Sequence, residues 1–141
     1  MYTLSNISEK QLLIISRALE LLARVQCGQI DEAFREMRNE EGLQNRIPFD
    51  IQNEASKMVK ESIGLTQSSS WGAGKFPESA DIAFDLHQQI RHDMAWNAAI
   101  ENGIVDQIDA SVRDWTKMVG VCYDEPFYFG TENPVKIEKN G

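Results

Sequence analysis

The chain has 141 residues, 42% of them apolar and 26% charged, a composition typical of one globular domain and not of a disordered tail or a membrane protein. Fourteen basic residues against 22 acidic ones give a net charge of −8. A surface this acidic repels phosphate backbones, so we expect no direct nucleic-acid binding. Residues 1–141 are predicted to form a single α-rich domain.

The cysteines and the first residues indicate a reducing compartment. Cys27 and Cys122 are too few and too far apart in sequence for a disulfide framework or a zinc site, so we expect free thiols. The opening residues contain neither the basic region nor the apolar run of a secretory signal. We therefore expect a soluble protein of the cytoplasm without membrane contact.

The first predicted helix begins at Ser8, where Gln11 completes a capping box, and ends at Gly28. Its apolar side chains cover about half of the helix surface, which is typical of a helix at the centre of a core. Ser16 and Arg17 are expected on the outer side. The residues predicted to face inward are Leu12, Ile14, Ile15, Ala18, Leu19, Leu21, Leu22, Ala23 and Val25.

Two shorter helices are predicted next. Helical spacing of apolar residues predicts a second helix over residues 30–37, and Pro48 separates it from a third. Asp50 is the expected cap of that third helix and Gly64 its stop. Its predicted inward residues are Ile51, Ala55, Met58, Val59 and Ile63.

A fourth helix is predicted from about Pro77 to Gly103, with an inward stripe that contains Ile82, Ala83, Leu86, Ile90, Met94 and Ala98. His87 and the pair Asp93 and Asn97 fall on this stripe. His92 is expected outside, on an acidic solvated face. Because the two histidines face different ways, we do not expect them to bind one metal ion.

Four residues are candidate ligand contacts. His87 is either a core histidine, bonded to a carbonyl or a facing helix, or a ligand-facing group with Arg91 one turn away. The loop that holds Trp71 and Lys75 is either an ordinary flexible loop or a binding loop with one aromatic face and one cation. Such a loop suits a ligand that carries phosphate.

Two acidic pairs suggest an alternative with a metal ion. Glu32 and Glu36 share a face of the second helix, and Glu78 and Asp81 share a face of the fourth. Carboxylates from two helices can hold Mg²⁺ against a nucleoside triphosphate, and the pattern resembles the all-helical nucleotide pyrophosphohydrolases. One pair matches their Glu-x-x-Asp spacing, whereas the other is one residue too long. Solvated acidic faces, with no cofactor, are the competing interpretation.

The last part of the chain is rich in aromatic residues. A fifth helix is predicted over residues 106–118, and residues 135–138 alternate like a short strand that could pair with residues 2–4. Phe127, Tyr128 and Phe129 belong either to the core or to a partner surface. The predicted fold is mainly α: a compact bundle of about five helices, with short β strands near the N- and C-termini.

Two segments, Asp85–His92 and the capped helix start Leu4–Leu12, resemble small proteins of tailed bacteriophages and prophages. The resemblance implies a bacterial host cytoplasm and an accessory role, in which such proteins bind and inhibit or redirect host machinery. It assigns no catalytic residue.

Three functions follow as hypotheses. The leading one is a small acidic accessory protein, not an enzyme, that sequesters or inhibits a host or phage protein with a basic surface; mimicry of nucleic-acid charge is a variant of it. The second is a nucleotide-handling protein. It would be a magnesium-dependent hydrolase using Glu32, Glu36, Glu78 and Asp81, or a nucleotide sponge using Trp71, Lys75, His87 and Arg91. The third is a structural subunit of a homo-oligomer, formed through Phe127, Tyr128 and Phe129.

Overall fold

The computed structural model describes residues 4–37, 47–72, 77–103 and 137–139. The regular elements in these ranges are four helices: α1 (Glu9–Gln26), α2 (Asp31–Glu36), α3 (Phe49–Ser62) and α4 (Glu78–Glu101). The predicted mainly helical class is confirmed. Lys75, the predicted fifth helix, Phe127, Tyr128, Phe129 and most of the predicted terminal strands lie outside the described residues. None of the described helices combines the length and the apolar character that crossing a membrane requires.

The ends of the helices follow local chemistry. The amide of Gln11 donates to Ser8 Oγ at 3.2 Å, and the amide of Ser8 donates to Gln11 Oε1 at 2.8 Å, so the predicted capping box is confirmed. Gly28 follows α1 with a φ of +81°, which a glycine adopts without strain. The predicted cap of α3 is wrong. Pro48 precedes that helix without a side-chain bond, and Asp50 lies in its first turn.

The side of α1 that packs on α4 is narrower than predicted. Ser16 and Ala23 are its buried residues, and α2 packs on α1 and on α3. The prediction that Ile14, Ala18 and Leu22 face inward is wrong, because all three are exposed. The side chains of Ser16 and Ala23 are small, which permits close packing of α1 on α4. Leu13, Ile14, Ala18 and Leu22 on α1 are exposed.

The orientation of α3 is the reverse of the predicted one. Ser56 and Lys60 are its buried residues, whereas the predicted inward residues Ile51, Met58, Val59 and Ile63 are exposed. The reason is electrostatic. Asp31 of α2 accepts a hydrogen bond from Ser56 Oγ at 3.1 Å and lies 3.4 Å from Lys60 Nζ. Lys60 Nζ also donates to the carbonyl of Gln67 at 2.9 Å, so polar contacts hold the polar side of α3 against the body.

Helix α4 is buried on more than one side. The predicted stripe is confirmed for Ala83 and Ile90, but Ile82 is exposed. The full set of buried residues surrounds the helix axis: Ala80, Ala83, Asp85, His87, Gln89, Ile90, His92, Ala95, Trp96 and Ala99. A single apolar stripe was therefore too simple a prediction for a central helix.

Candidate functional site

His87 lies buried where α1 meets α4, with 3% of its surface exposed. Its Nδ1 lies 2.9 Å from Ser16 Oγ and 3.0 Å from the carbonyl oxygen of Ser16. Because a carbonyl only accepts, the proton of the neutral ring belongs on Nδ1. Nε2 is then a buried acceptor with no hydrogen-bond partner among the described residues, 3.6 Å from Glu20 Oε2. The core interpretation of His87, bonded to a facing helix, is confirmed.

The surroundings of His87 favour the neutral ring. Burial lowers the pKa of His87, while the Glu20 carboxylate acts in the opposite direction. The positive charges of Arg91 and Arg24 lower this pKa further, and the net direction is downward. Arg91 itself is exposed. The predicted ligand pair is therefore divided between a helix–helix contact and the surface.

Trp71 packs on the end of α1. Its amide donates to the carbonyl of Cys27 at 2.9 Å. A Cβ placed on Gly28 would lie 3.4 Å from the Trp71 ring and 2.5 Å from Leu65 Cδ1. The half-buried Trp71 ring thus contributes to closing this loop over α1.

Burial, together with the charge of Asp81, raises the pKa of the Cys27 thiol, so this cysteine is a poor nucleophile.

The acidic residues of the magnesium hypothesis lie on helices that do not contact each other, α2 and α4. Glu32 pairs with Arg35 at 2.9 Å, and Glu36 pairs with Arg17. Glu78 and Asp81 are in the first turn of α4. In the part of the chain that the structure describes, no three His, Cys, Asp or Glu side chains are grouped to hold a metal ion. Magnesium binding stays a prediction without an assembled ligand set among these residues.

A second buried polar cluster lies on α4. Asp93 Oδ1 accepts hydrogen bonds from Gln89 Nε2 at 2.7 Å and from His92 Nδ1 at 3.0 Å. Trp96 Nε1 donates to His92 Nε2 at 3.1 Å. An indole N–H only donates, so His92 Nε2 accepts this bond while His92 Nδ1 donates to Asp93. The prediction of an outward His92 is wrong, because this ring lies inside a cluster of buried partners.

Asp93 also joins α4 to the C-terminal residues. The amide of Ile137 donates to Asp93 Oδ2 at 2.8 Å, and Lys139 pairs with Glu101. Burial alone would raise the pKa of Asp93, but the bonds from His92, Gln89 and Ile137 outweigh it and lower this pKa. The sequence carried a signal for this cluster. Gln89 and Asp93, and His92 and Trp96, are two i,i+4 pairs set side by side.

The largest feature that the sequence analysis missed is on the outer side of α3. We call Ile51, Met58 and Val59 the α3 apolar face. Their exposed fractions are 49%, 66% and 42%, and Ile63, the C-cap residue of α3, is 42% exposed. Exposed apolar patches of this kind are uncommon on monomers and mark interaction surfaces. Three acidic residues of the same helix, Asp50, Glu54 and Glu61, are exposed beside it.

No protein-family model, curated protein or solved structure matches this chain. The surface and the contacts described above therefore carry the functional argument.

Proposed function

We propose that this protein is a non-catalytic binding protein that recognises another protein through exposed apolar helix faces. The observation that carries the proposal is the reversed orientation of α3, which is held by its polar side and presents its apolar side outward. Moving a side chain of this size completely out of water contributes about 1.5 to 3 kcal/mol, and covering one that is already half-buried contributes about half of that. A partner that covers several of them gains a substantial part of a binding free energy.

The polar clusters support binding over catalysis. His87 is enclosed between α1 and α4, and Asp93 uses its carboxylate for three hydrogen bonds. His87 Nδ1 and the Asp93 carboxylate are thus occupied in holding the fold together, and His87 Nε2 is buried beside Glu20. A general acid or base needs instead to be within reach of a substrate.

The partner we propose is a protein with a basic surface. A net charge of −8 speeds the encounter with such a surface and disfavours acidic partners. The resemblance to phage accessory proteins supports a bacterial host factor as that partner. Binding would sequester or inhibit it.

Native mass spectrometry of the full chain, purified gently from bacterial cells, tests the proposal. We expect a complex that is lost when Leu22 and Met58, exposed on α1 and α3, are both changed to Ser. The matched control is Asn53→Ser, at an exposed polar position of α3. A complex that all variants retain, or no complex at all, contradicts the proposal.

A second assay addresses the nucleotide hypothesis directly. The purified chain is incubated with Mg²⁺ and each common nucleoside triphosphate, and phosphate and pyrophosphate are measured. We expect no release above the rate without protein. Release that Glu78→Gln abolishes would establish a hydrolase in place of a binding protein.

A further inference from the structure

We propose that the α3 apolar face docks a basic amphipathic helix of the partner protein. This inference rests on the proposed binding function and specifies the surface and the chemistry of what it binds. Helix-in-groove recognition uses anchors at i, i+3, i+4 and i+7 spacing. Four features of α3 support the inference.

The first feature is a continuous apolar ridge. Ile51, Met58 and Val59 are separated by seven and eight residues, and Ala55 fills the turn between them. Residues with this spacing lie on one side of a helix. The 14 residues of α3 extend over about 21 Å. That length accommodates three to four turns of a second helix packed along it.

The second feature is an acidic border on one side of the ridge. Asp50, Glu54 and Glu61 are spaced by four and seven residues, so they form a row parallel to the apolar ridge. Lys57 is the basic residue of this row, and its Nζ lies 3.9 Å from Glu61 Oε1. Asp50 and Glu54 have no ion-pair partner among the described residues. A docked helix with Lys or Arg beside its apolar stripe would place those charges against this border.

The third feature is the fixed orientation of α3. Turning the apolar face inward would remove Lys60 from Asp31 and from the Gln67 carbonyl, and would separate Ser56 from Asp31. Burial alone would raise the pKa of Asp31, but its backbone hydrogen bond, the Lys60 ammonium and the Ser56 hydroxyl lower it. Asp31 is therefore ionised and holds the polar side of α3 inward, which leaves the apolar face available to a partner.

The fourth feature argues against a second copy of this chain as the occupant. Two copies that packed α3 against α3 would bring two acidic rows into one interface, where like charges repel. A second copy could instead place the exposed face of its α1 on α3. Arg17, the basic residue beside that face, already pairs with Glu36 and is less available to the acidic row of α3. A basic amphipathic helix of another protein brings neither the like charges nor an arginine that is already paired.

The test is methionine footprinting of the full chain, with peroxide oxidation read by mass spectrometry. The probe is a synthetic amphipathic helix of Leu and Lys. Its controls are the same composition in scrambled order and an amphipathic helix of Leu and Glu. The chain supplies its own references. Met58 lies on the proposed surface, Met37 is exposed elsewhere, and Met94 is half-buried in α4.

In the free chain we expect Met58 to oxidise several-fold faster than Met94. The basic amphipathic peptide is expected to slow oxidation of Met58 and to leave Met37 unchanged, whereas neither control peptide protects Met58. The double variant Asp50→Lys with Glu54→Lys is expected to bind the basic peptide about tenfold more weakly. Asn53→Ser, on the same helix, is expected to bind it as the native chain does.

Several results would overturn the inference. One is slow oxidation of Met58 in the peptide-free chain. If the rate does not depend on protein concentration, the chain itself covers the α3 apolar face, and if it does, a second copy covers it. Another is equal protection by the acidic or the scrambled peptide. A natural complex that Leu22→Ser abolishes and Met58→Ser leaves intact would place binding on α1, which rejects this inference but keeps the proposed function. Absence of any complex would reject the proposed function itself.

Discussion

Helices α4 and α3 bury polar side chains in opposite ways. Helix α4 is surrounded by the fold, and its buried polar groups are bonded to one another, to α1 and to the C-terminal residues. Helix α3 is attached at one side only, through Ser56 and Lys60, and its apolar side chains remain outside. The first arrangement serves the internal stability of the domain. The second leaves apolar area for another molecule to cover.

The comparison shows that a buried polar group has different consequences in the two helices. In α4, Asp93 and His92 complete a cluster whose donors and acceptors match, so a large aromatic ring can be buried beside them. In α3, Asp31 attracts the amine of Lys60 and thereby decides which side of an amphipathic helix faces the body. Polar contacts thus specify orientation even where apolar burial would favour the reverse.

The largest expected effect is at Trp96, which is 1% exposed in α4. Trp96→Ala removes a buried aromatic ring and is expected to lower the free energy of unfolding by about 3 to 5 kcal/mol. It also leaves His92 Nε2 without its donor. Urea unfolding followed by circular dichroism measures the loss. Trp96→Phe, which keeps most of the ring volume, is the control and should lose clearly less.

The next effect is at Asp93. Asp93→Asn keeps the size of the side chain but replaces one acceptor oxygen with a donor, which opposes the donors around it. We expect a loss of about 2 kcal/mol in the free energy of unfolding. We also expect faster hydrogen exchange at the Ile137 amide, measured by nuclear magnetic resonance. Unchanged exchange at Ile137 would show that this amide does not depend on the Asp93 carboxylate.

On α3, the two lysines provide a matched pair. Lys60 is buried against Asp31, whereas Lys57 is exposed on the same helix. Lys60→Ala is expected to lower the free energy of unfolding by about 1 to 3 kcal/mol, because it breaks a buried charged hydrogen bond. Lys57→Ala should change it by less than about 0.5 kcal/mol. Equal losses at both positions would contradict an anchoring role for Lys60.

His87 predicts a pH dependence that belongs to the contact between α1 and α4. Burial lowers the pKa of His87. The Glu20 carboxylate opposes this lowering, and the positive charges of Arg91 and Arg24 add to it. The unfolded chain, with a histidine pKa of about 6.5, therefore binds this proton more readily than the folded chain. The contribution of His87 to the free energy of unfolding is therefore complete above a pH of about 6.5. It is lost as the pH decreases from about 6.5 toward the lower pKa of the folded state.

The measurement is a series of urea unfolding curves between pH 8 and 5. We expect His87→Gln to reduce the loss on acidification, because the titrating group is gone. Glu20→Gln should increase it, since this carboxylate favours the protonated ring. A steeper acid loss in His87→Gln than in the native chain would contradict this assignment.

The sequence was sufficient where local chemistry decides the structure. The capping box of Ser8 and Gln11, the glycine at the end of α1 and the extent of α4 follow from spacing and residue type alone. It was insufficient where two elements decide together. Periodicity placed Ile51 and Met58 inward because it could not indicate that Asp31 would bind Lys60. It placed His92 outward because this histidine falls among the acidic residues of its helix face, and its i,i+4 partner Trp96 was not considered.

The smallest expected effect is the sharpest test of the comparison. Val59→Ser, on the α3 apolar face, should change the free energy of unfolding by less than about 0.5 kcal/mol, since the side chain is already in contact with water and the two residues have similar helix propensities. Ile90→Ser, at a buried position of α4, is the matched control and should lose about 2 kcal/mol or more. If both changes lower the free energy of unfolding by the same amount, the α3 apolar face is already covered in the free chain, because only a buried valine would lose as much as Ile90.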